Sequence, residues 1–219
     1  MKIGILETGA PPPALEERFG RYPAMFEALI GDGHSFTTYA VEQRELPARP
    51  EEQDAYIVTG SPAGVYDDLP WIEPLKQFLR EAKGKARLVG ICFGHQIMAE
   101  AFGGRVAKSD KGWGVGLHRY EVAEQTAWMD SAGSFAIPVS HQDQVMDPPP
   151  HSRVLAGSAF NRFGLIAYDD QPAISFQCHP EFAPEFAAAL IGARRERLAG
   201  PDAAIARLDL PNDPERVGG

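Results

Sequence analysis

The stretch Leu88-Val89-Gly90-Ile91-Cys92-Phe93-Gly94-His95-Gln96 decides the fold, because it places a cysteine between a short apolar run and a helical one. Residues 86–91 indicate a buried strand and residues 94–103 a helix, with glycines where a sharp turn brings main chains close together. The free N–H groups and partial positive charge at the helix N-terminus favour the thiolate of Cys92, the nucleophilic form of a thiol. The stretch therefore predicts a strand, a turn and a helix that present a reactive sulfur. Taken alone, it also fits a buried structural cysteine on a core strand.

A second stretch, residues 173–178, has the composition of a strand and runs directly into His179-Pro180-Glu181. The proline biases His179 towards an extended conformation, in which side chains two residues apart share a face. His179 and Glu181 can therefore point the same way, so that the carboxylate holds the imidazole and stabilises its charged form. With Cys92 they supply a nucleophile, a base and an orienting group, the parts needed to open an acyl bond through a thioester.

Two other interpretations fit the region of His179. It could be a surface histidine beside a loop glutamate, or it could share a metal with Cys178 and Glu181. The metal site is disfavoured, because neighbouring strand residues face opposite sides and the sequence has no second ligand pair at zinc spacing. Cys178 then fits a buried strand thiol, and we expect neither a metal nor a cofactor.

Four segments follow the pattern of a known family, and they stand in its order within residues 1–195. They are Gly-Ile-Cys-Phe-Gly-His-Gln at 90–96, Gln-Cys-His-Pro-Glu-Phe at 177–182, Ser-His-Gln-Asp-Gln-Val at 140–145 and Val-Thr-Gly-Ser-Pro at 58–62. On these segments the chain resembles the class I glutamine amidotransferases, in particular the glutaminase of the GMP synthase type. The resemblance implies a three-layer α/β/α sandwich of the flavodoxin-like kind, with a mostly parallel central sheet and an antiparallel or mixed second half. It also implies hydrolysis of the γ-amide of glutamine through a γ-glutamyl thioester, with release of ammonia.

The same resemblance assigns roles to residues of this sequence. Cys92 is the implied nucleophile, His179 the base and then the acid, and Glu181 the orienting group. The implied oxyanion hole consists of the main-chain N–H groups of Phe93 and of the Gly60–Ser61 loop. The implied contacts to glutamine are Gln96, His141 and Asp143. A carboxylate at Asp143 suits the α-ammonium group of that substrate through a charge-assisted contact. His141 and Asp143 also fit a chance pair in a loop, and Gln96 a polar residue near a helix start.

Ser61 departs from the family pattern, since related chains often carry the second glycine of Gly-Gly-Pro at this point. A Cβ restricts the backbone, which leaves open whether the N–H faces the site without a ligand or partner. Losing one oxyanion donor costs on the order of 10² to 10³ in rate. Residues 60–64 also fit an ordinary tight loop after a strand.

Composition indicates one globular domain with a full core, at 219 residues with 44% apolar and 23% charged content. We expect residues 1–198 to form the amidotransferase domain and residues 199–219 a C-terminal extension. A net charge of −9 without a basic stripe argues against nucleic acid or an anionic membrane as a partner. The two cysteines indicate no disulfide framework, so we expect a cytoplasmic protein in a reducing cytosol. No apolar run approaches the roughly 20 residues of a membrane span, so we expect no segment to cross a membrane.

The order of elements predicts parallel βαβ units followed by a mixed region. Strand-like runs lie near 2–6, 35–41, 54–59 and 86–91, and helical ones near 21–31, 71–83 and 94–103. Shorter strand-like segments then lie near 115–123, 135–139, 153–158, 164–168 and 173–178, before a closing helix over 182–198. Residues 8–22 and 108–116 are predicted loops, the second near the mouth of the site, and residues 211–219 a loosely ordered tail.

Three functions remain open from the sequence. The first is an ammonia-donating glutaminase, and because the chain has no P-loop or similar nucleotide motif, the acceptor chemistry would lie on another chain, a synthetase subunit. The second is a free-standing γ-glutamyl hydrolase or peptidase, which uses the same thioester but expels a larger leaving group. The third, a regulatory or redox-sensing homologue that uses Cys92, is disfavoured because all three triad residues are present.

Overall fold

The computed structural model describes residues 1–218, in which strands and helices alternate over the first half of the chain. The strands are β1 (Lys2–Glu7), β2 (Ser35–Ala40), β3 (Ala55–Val58), β4 (Arg87–Ile91), β5 (Arg105–Lys108), β6 (Gly114–Val122), β7 (Ser134–His141), β8 (Asp143–Asp147), β9 (Ser152–Gly157), β10 (Leu165–Tyr168) and β11 (Ala173–Phe176). The α-helices are α1 (Pro13–Phe19), α2 (Tyr22–Ile30), α3 (Ile72–Ala82), α4 (Phe93–Ala101), α5 (Pro184–Ala193), α6 (Pro201–Arg207) and α7 (Pro214–Gly218). Among these residues, no helix has both the length and the apolar character needed to cross a membrane.

One sheet of nine strands forms the centre of the molecule, in the order β2-β1-β3-β4-β11-β10-β9-β6-β7. Neighbours from β2 to β11 pair in parallel, whereas neighbours from β11 to β7 pair antiparallel. Strands β5 and β8 form a separate antiparallel pair. The predicted α/β fold, parallel in one part and antiparallel in the other, is confirmed.

Side chains on the two faces of the sheet pack into different cores. Tyr56 and Val58 of β3 pack with α3 and α4 on one face, whereas Ile57 packs on the other face with Phe26 of α2. This alternation follows from the two-residue period of a strand. The sheet therefore lies between two helical layers, as the three-layer prediction requires.

Strands β4 and β11 lie side by side at the centre of the sheet, and this neighbourhood positions the site. Ile91 pairs with Phe176 at the ends of the two parallel strands. One residue further on, the N–H of Cys92 donates to the carbonyl oxygen of Phe176 over 2.8 Å. Since parallel strands end at the same edge of a sheet, Cys92 and the residues after Phe176 meet there despite their separation in sequence.

Several elements differ from the sequence prediction. The predicted loop 8–22 contains helix α1, because Pro13 stands at the first helical position, where its missing N–H has no cost. The closing helix ends at Ala193 rather than at residue 198, and a 3₁₀ turn follows at Arg195–Arg197.

The C-terminal region packs onto the domain more closely than a loose tail would. A Cβ on Gly116 of β6 would lie 2.6 Å from the carbonyl oxygen of Ala204 in α6, so the two main chains touch. Asp213, in the predicted tail, accepts the N–H of Ala136 on its carboxylate over 2.8 Å, and its own N–H donates back to the Ala136 carbonyl over 2.9 Å. The limit at residue 198 between domain and extension stays a prediction.

Candidate active site

Cys92 lies at the turn between β4 and α4, with φ 54° and ψ −100°. Positive φ is strained for a side chain with a Cβ, and such strain is typical of functional turns. The turn fits only because two positions lack side chains. A Cβ on Gly90 would lie 2.5 Å from the carbonyl oxygen of Gly94, and one on Gly94 would lie 2.2 Å from that of Val58. The sharp strand-turn-helix elbow is present as the glycine pattern predicts.

His179 and Glu181 form a buried pair just beyond the end of β11, where Pro180 and Glu181 stand in a turn and not in the extended chain that the sequence predicted. The imidazole Nδ1 donates to Glu181 Oε1 over 2.7 Å, and the two side chains are 5% and 1% exposed. The main chain is fixed as well, because the N–H of His179 donates to the carbonyl of Pro138 in β7 over 2.9 Å. The carboxylate therefore orients the ring and leaves Nε2 free for a reacting group.

The side chains of Cys92 and His179 both lie next to Gly60. A Cβ on Gly60 would lie 3.1 Å from His179 Cε1 and 3.8 Å from Cys92 Cβ, so both side chains reach the same point. Burial by itself lowers the pKa of His179, but the negative charges of Glu181 and Cys92 outweigh burial and raise that pKa above its ordinary value. A histidine held in this way can carry a proton beside a thiolate and deliver it to a leaving group.

Phe182 also fixes the imidazole, and sequence reasoning assigned it no role. Its ring stacks on that of His179 with centroids 3.9 Å apart and planes 7° apart. Tyr22 of α2 stacks in turn on Phe182 at 6.0 Å. The only sequence signal was the position of Phe182 next to Glu181 in the matching segment.

A cleft of about 280 Å³ opens on one side of Cys92 and receives three of the predicted substrate residues, Gln96, His141 and Asp143. Residues of both charge signs line it: Asp67, Lys108, Asp143, Arg194 and Arg197. Trp113 stands in its wall, with the Arg194 guanidinium 5.9 Å from its ring centroid. The loop 108–116 thus contributes to the mouth of the site, where the sequence predicted it. A cleft of this size, near the lower end of the roughly 300–1,000 Å³ of ligand pockets, suits a small zwitterion.

Asp143 presents its carboxylate to this cleft because its main chain is held from behind. Its carbonyl oxygen accepts from Gln96 Nε2 over 2.9 Å and from His141 Nδ1 over 3.1 Å. Its carboxylate Oδ2 accepts the hydroxyl of Tyr66 over 2.8 Å. Burial lowers the pKa of His141 to about 3, so this imidazole is neutral and donates from one nitrogen. Gln96 and His141 therefore make their hydrogen bonds to the Asp143 main chain.

A second, much smaller cavity of about 20 Å³ lies on the imidazole side of Cys92. Its walls are side chains and main chain of Tyr22, Gly60, Ser61, Cys92, Ser140, His179, Phe182, Leu190 and Arg194. The guanidinium of Arg194 is fixed there by a 2.9 Å hydrogen bond to the Ser140 hydroxyl. Ser61, predicted in the oxyanion loop, lines both cavities.

The two remaining residues near the motifs stand apart from these cavities. His95 is fully buried, its Nδ1 lies 2.8 Å from the Ser175 hydroxyl, and burial lowers its pKa to about 3. Cys178 is a free, fully buried thiol, and burial raises its pKa. Cys178 is buried as the sequence favoured, although it lies just beyond the end of β11 and not on the strand.

Comparisons with known proteins agree on one family. The family model for glutamine amidotransferase class-I matches residues 28–191. Gamma-glutamyl peptidase 4 of Arabidopsis thaliana is 27% identical over 76% of this chain and 70% of its own. A glutamine-hydrolysing GMP synthase of Thermus thermophilus is 35% identical over 63% of this chain but only 26% of its own. The crystal structure of a glutamine amidotransferase from Thermotoga maritima matches with a TM-score of 0.75 at 17% identity, covering 95% of this chain and 90% of that one, which shows the shared fold.

Proposed function

This chain belongs to the class I glutamine amidotransferase family, and on that premise we propose that it hydrolyses the γ-amide of glutamine through a thioester at Cys92. One observation carries the proposal. The buried His179–Glu181 pair, joined over 2.7 Å, reaches the same point beside Gly60 as the cysteine on the strained elbow. A nucleophile, a base and an orienting carboxylate in contact are what acyl transfer requires.

In the first half of the reaction, the Cys92 thiolate attacks the γ-carboxamide carbon of glutamine. The resulting oxyanion accepts the N–H of Phe93, the first residue of α4, and an N–H from the Gly60–Ser61 loop. Protonated His179 gives its proton to the nitrogen, the C–N bond breaks and ammonia leaves. In the second half, neutral His179 takes a proton from water, which attacks the thioester carbonyl. Glutamate is released and the sulfur leaves as thiolate.

Substrate recognition is proposed to centre on the carboxylate of Asp143. A fixed carboxylate in the cleft suits the α-ammonium group of glutamine, and the Arg194 and Arg197 guanidinium groups suit its α-carboxylate. Gln96 and His141 line the same cleft and hold the Asp143 carbonyl, which keeps the carboxylate in place.

The small cavity beside His179 favours ammonia as the leaving group. A cavity needs roughly 10–15 Å³ to hold one water molecule. The cavity of about 20 Å³ therefore fits one molecule of the size of water or ammonia. Even glycine, the smallest amino acid, is several times larger. Tyr22, Phe182 and Leu190 line this cavity with two rings and an apolar side chain.

A second candidate is a γ-glutamyl peptidase, the name carried by four of the relatives. One observation favours it: Cys92 also lines the larger cleft, where Lys108 is a further cation beside the two arginines assigned to the α-carboxylate and suits a leaving group that carries a carboxylate. If instead the first candidate is right, the ammonia goes to an acceptor on a further chain, a synthetase subunit. We propose under either candidate that residues 1–198 form the amidotransferase domain.

Three substrates whose leaving groups increase in size test these proposals: glutamine, γ-glutamyl methylamide and γ-glutamyl glycine. We expect kcat/KM to fall along this series, with ammonia released from glutamine. Faster cleavage of γ-glutamyl glycine than of glutamine would instead support the peptidase. In parallel, a chloroketone analogue of glutamine should alkylate Cys92, as mapped by mass spectrometry. The label should be lost in Cys92→Ala and kept in Cys178→Ala, and a label that persists in Cys92→Ala contradicts the proposed nucleophile.

A further inference from the structure

The main-chain carbonyl of Gly60 points into a buried pair of threonine hydroxyls. Thr59 Oγ1 lies 3.2 Å from the Gly60 oxygen and Thr8 Oγ1 lies 3.3 Å from it. Both threonines are fully buried, although they stand 51 residues apart in the chain. The proposed reaction uses neither side chain directly, so their buried hydroxyls call for a reason of their own.

The hydrogens of this cluster can be assigned without conflict. The N–H of Thr8 donates to Thr59 Oγ1 over 3.0 Å, which leaves the Thr59 hydroxyl hydrogen for the Gly60 carbonyl. The Thr8 hydroxyl donates its own hydrogen to the Thr59 carbonyl over 2.9 Å. Each donor is then used once, and the Gly60 carbonyl is held by the threonine hydroxyls.

The direction of one carbonyl fixes the direction of the next N–H. In a trans peptide the C=O of one residue and the N–H of the following residue point in opposite directions. The Gly60–Ser61 peptide is trans. With the Gly60 oxygen on the threonine side, the Ser61 N–H points to the other side, where the face of Gly60 lies against His179 and Cys92.

Three neighbours oppose rotation of this peptide. The Cβ of Ser61 disfavours the positive φ that a rotated peptide would demand, and Pro62 restricts Ser61 to extended conformations. On the far side Gly9 packs against the loop, since a Cβ there would lie 2.8 Å from Pro62 Cδ. Rotation would also take one of two acceptors from the buried Thr59 hydroxyl, which would keep only Thr8 Oγ1 at 3.2 Å. The serine that replaces a glycine therefore locks the loop.

We propose that Thr8 and Thr59 are positioning residues that hold the Ser61 N–H towards Cys92, so that the oxyanion hole is formed before substrate or partner binds. This rests on the proposed thioester reaction. It answers a question that the sequence left open, because a preformed hole predicts turnover by the isolated chain, without activation by a second chain.

The test compares hydrolysis with simple alkylation in Thr59→Val and Thr8→Val. Valine keeps the branched shape of threonine and removes the hydroxyl. Since full loss of one oxyanion donor costs about 10² to 10³ in rate, we expect kcat to fall about 10- to 100-fold with KM little changed. Alkylation of Cys92 by iodoacetamide forms no oxyanion, so its rate should stay near that of the wild type. Thr59→Ser should restore kcat, and Thr38→Val, at an exposed position of β2, serves as the matched control.

Each outcome decides the inference. Unchanged kcat in both valine variants overturns it, and so does an equal loss of hydrolysis and alkylation, which would indicate general damage to the fold. An isolated wild-type chain that takes the chloroketone label at Cys92 but hydrolyses none of the three substrates also overturns it, while the proposed nucleophile stands. Absence of both label and hydrolysis removes the proposed function itself, and this inference with it.

Discussion

Replacing Glu181 by glutamine tests the role of the charge on the buried carboxylate. The substitution keeps the size of the side chain and an oxygen that can accept from His179 Nδ1, now 2.7 Å from Oε1. What disappears is the attraction between carboxylate and imidazolium. For unit charges about 4 Å apart in an effective dielectric of about 20, that attraction is about 4 kcal/mol. This corresponds to about three units of imidazole pKa.

The expected result is a large fall in rate with a shifted pH profile. Because about 4 kcal/mol of support for protonated His179 is lost, kcat should drop by about 10³-fold, and less where water relaxes around the site. Ammonia release from glutamine, followed from mildly acidic to mildly alkaline pH, measures both the rate and the profile. Glu185→Gln removes the same charge from an exposed position four residues further along and should leave kcat nearly unchanged.

A second measurement on the same variant needs no substrate. The pKa of His179 is raised in the folded chain, so its contribution to stability is complete below the unfolded value of about 6.5 and is lost as pH rises through the folded pKa. Glu181→Gln should therefore lose less stability than the wild type when melting is followed from neutral to alkaline pH. Equal kcat and equal pH slopes in the two proteins would refute the reasoning about this pair.

Three further predictions concern packing and stability. Gly94→Ala should unfold the elbow or lower the melting temperature strongly, because its Cβ would lie 2.2 Å from a main-chain oxygen. Gly192→Ala in α5, with open space around the new Cβ, should change the free energy of unfolding by less than about 1 kcal/mol. Comparable melting temperatures of the two variants would contradict the close contact at Gly94. Burial lowers the pKa of His95 to about 3, so the unfolded chain binds the extra proton and stability falls as pH drops below about 6.5, by about 2 kcal/mol at pH 5. The melting temperature of His95→Gln should therefore depend less on pH in this range. An unchanged dependence on pH would contradict the lowered pKa of His95. Truncation after Leu198 removes the buried side chains of Ala204 in α6 and of Leu208 just after it, and should lower the free energy of unfolding by about 2 kcal/mol or more, measured by denaturant titration. An unaltered midpoint would mark the extension as separable.

The central strands and the elbow were predictable because their signals are local. Apolar runs such as Tyr56-Ile57-Val58 indicate buried parallel strands, and paired glycines around Cys92 indicate a turn with close main chains. Helix α1 was missed because three successive prolines suggest a stiff loop, although a proline can begin a helix. Strands β5 and β8 have only four and five residues and mix polar with apolar side chains, so neither carries a clear period.

The contacts that sequence reasoning missed at the site are all long-range. The Thr8 and Thr59 hydroxyls meet because β1 and β3 are neighbours in the sheet. In the sequence, nothing distinguishes either threonine from a polar residue on the surface. Tyr66, in the loop after β3, reaches Asp143 across 77 residues of sequence. His179 and Glu181 were predictable as a pair because they lie two residues apart in one motif, although the structure brings them together through a turn after β11 and not through an extended strand.

The conformation of Cys92 has a consequence for how this chain could be made more robust. Its backbone at φ 54° is one that glycine adopts freely and that costs a residue with a Cβ about 1–3 kcal/mol. A chain with glycine at this position would be relieved of that cost and would lose its sulfur at the same time. Selection for heat resistance alone therefore favours loss of the sulfur on which turnover depends. Screens for more stable variants need a measurement of activity from the first round.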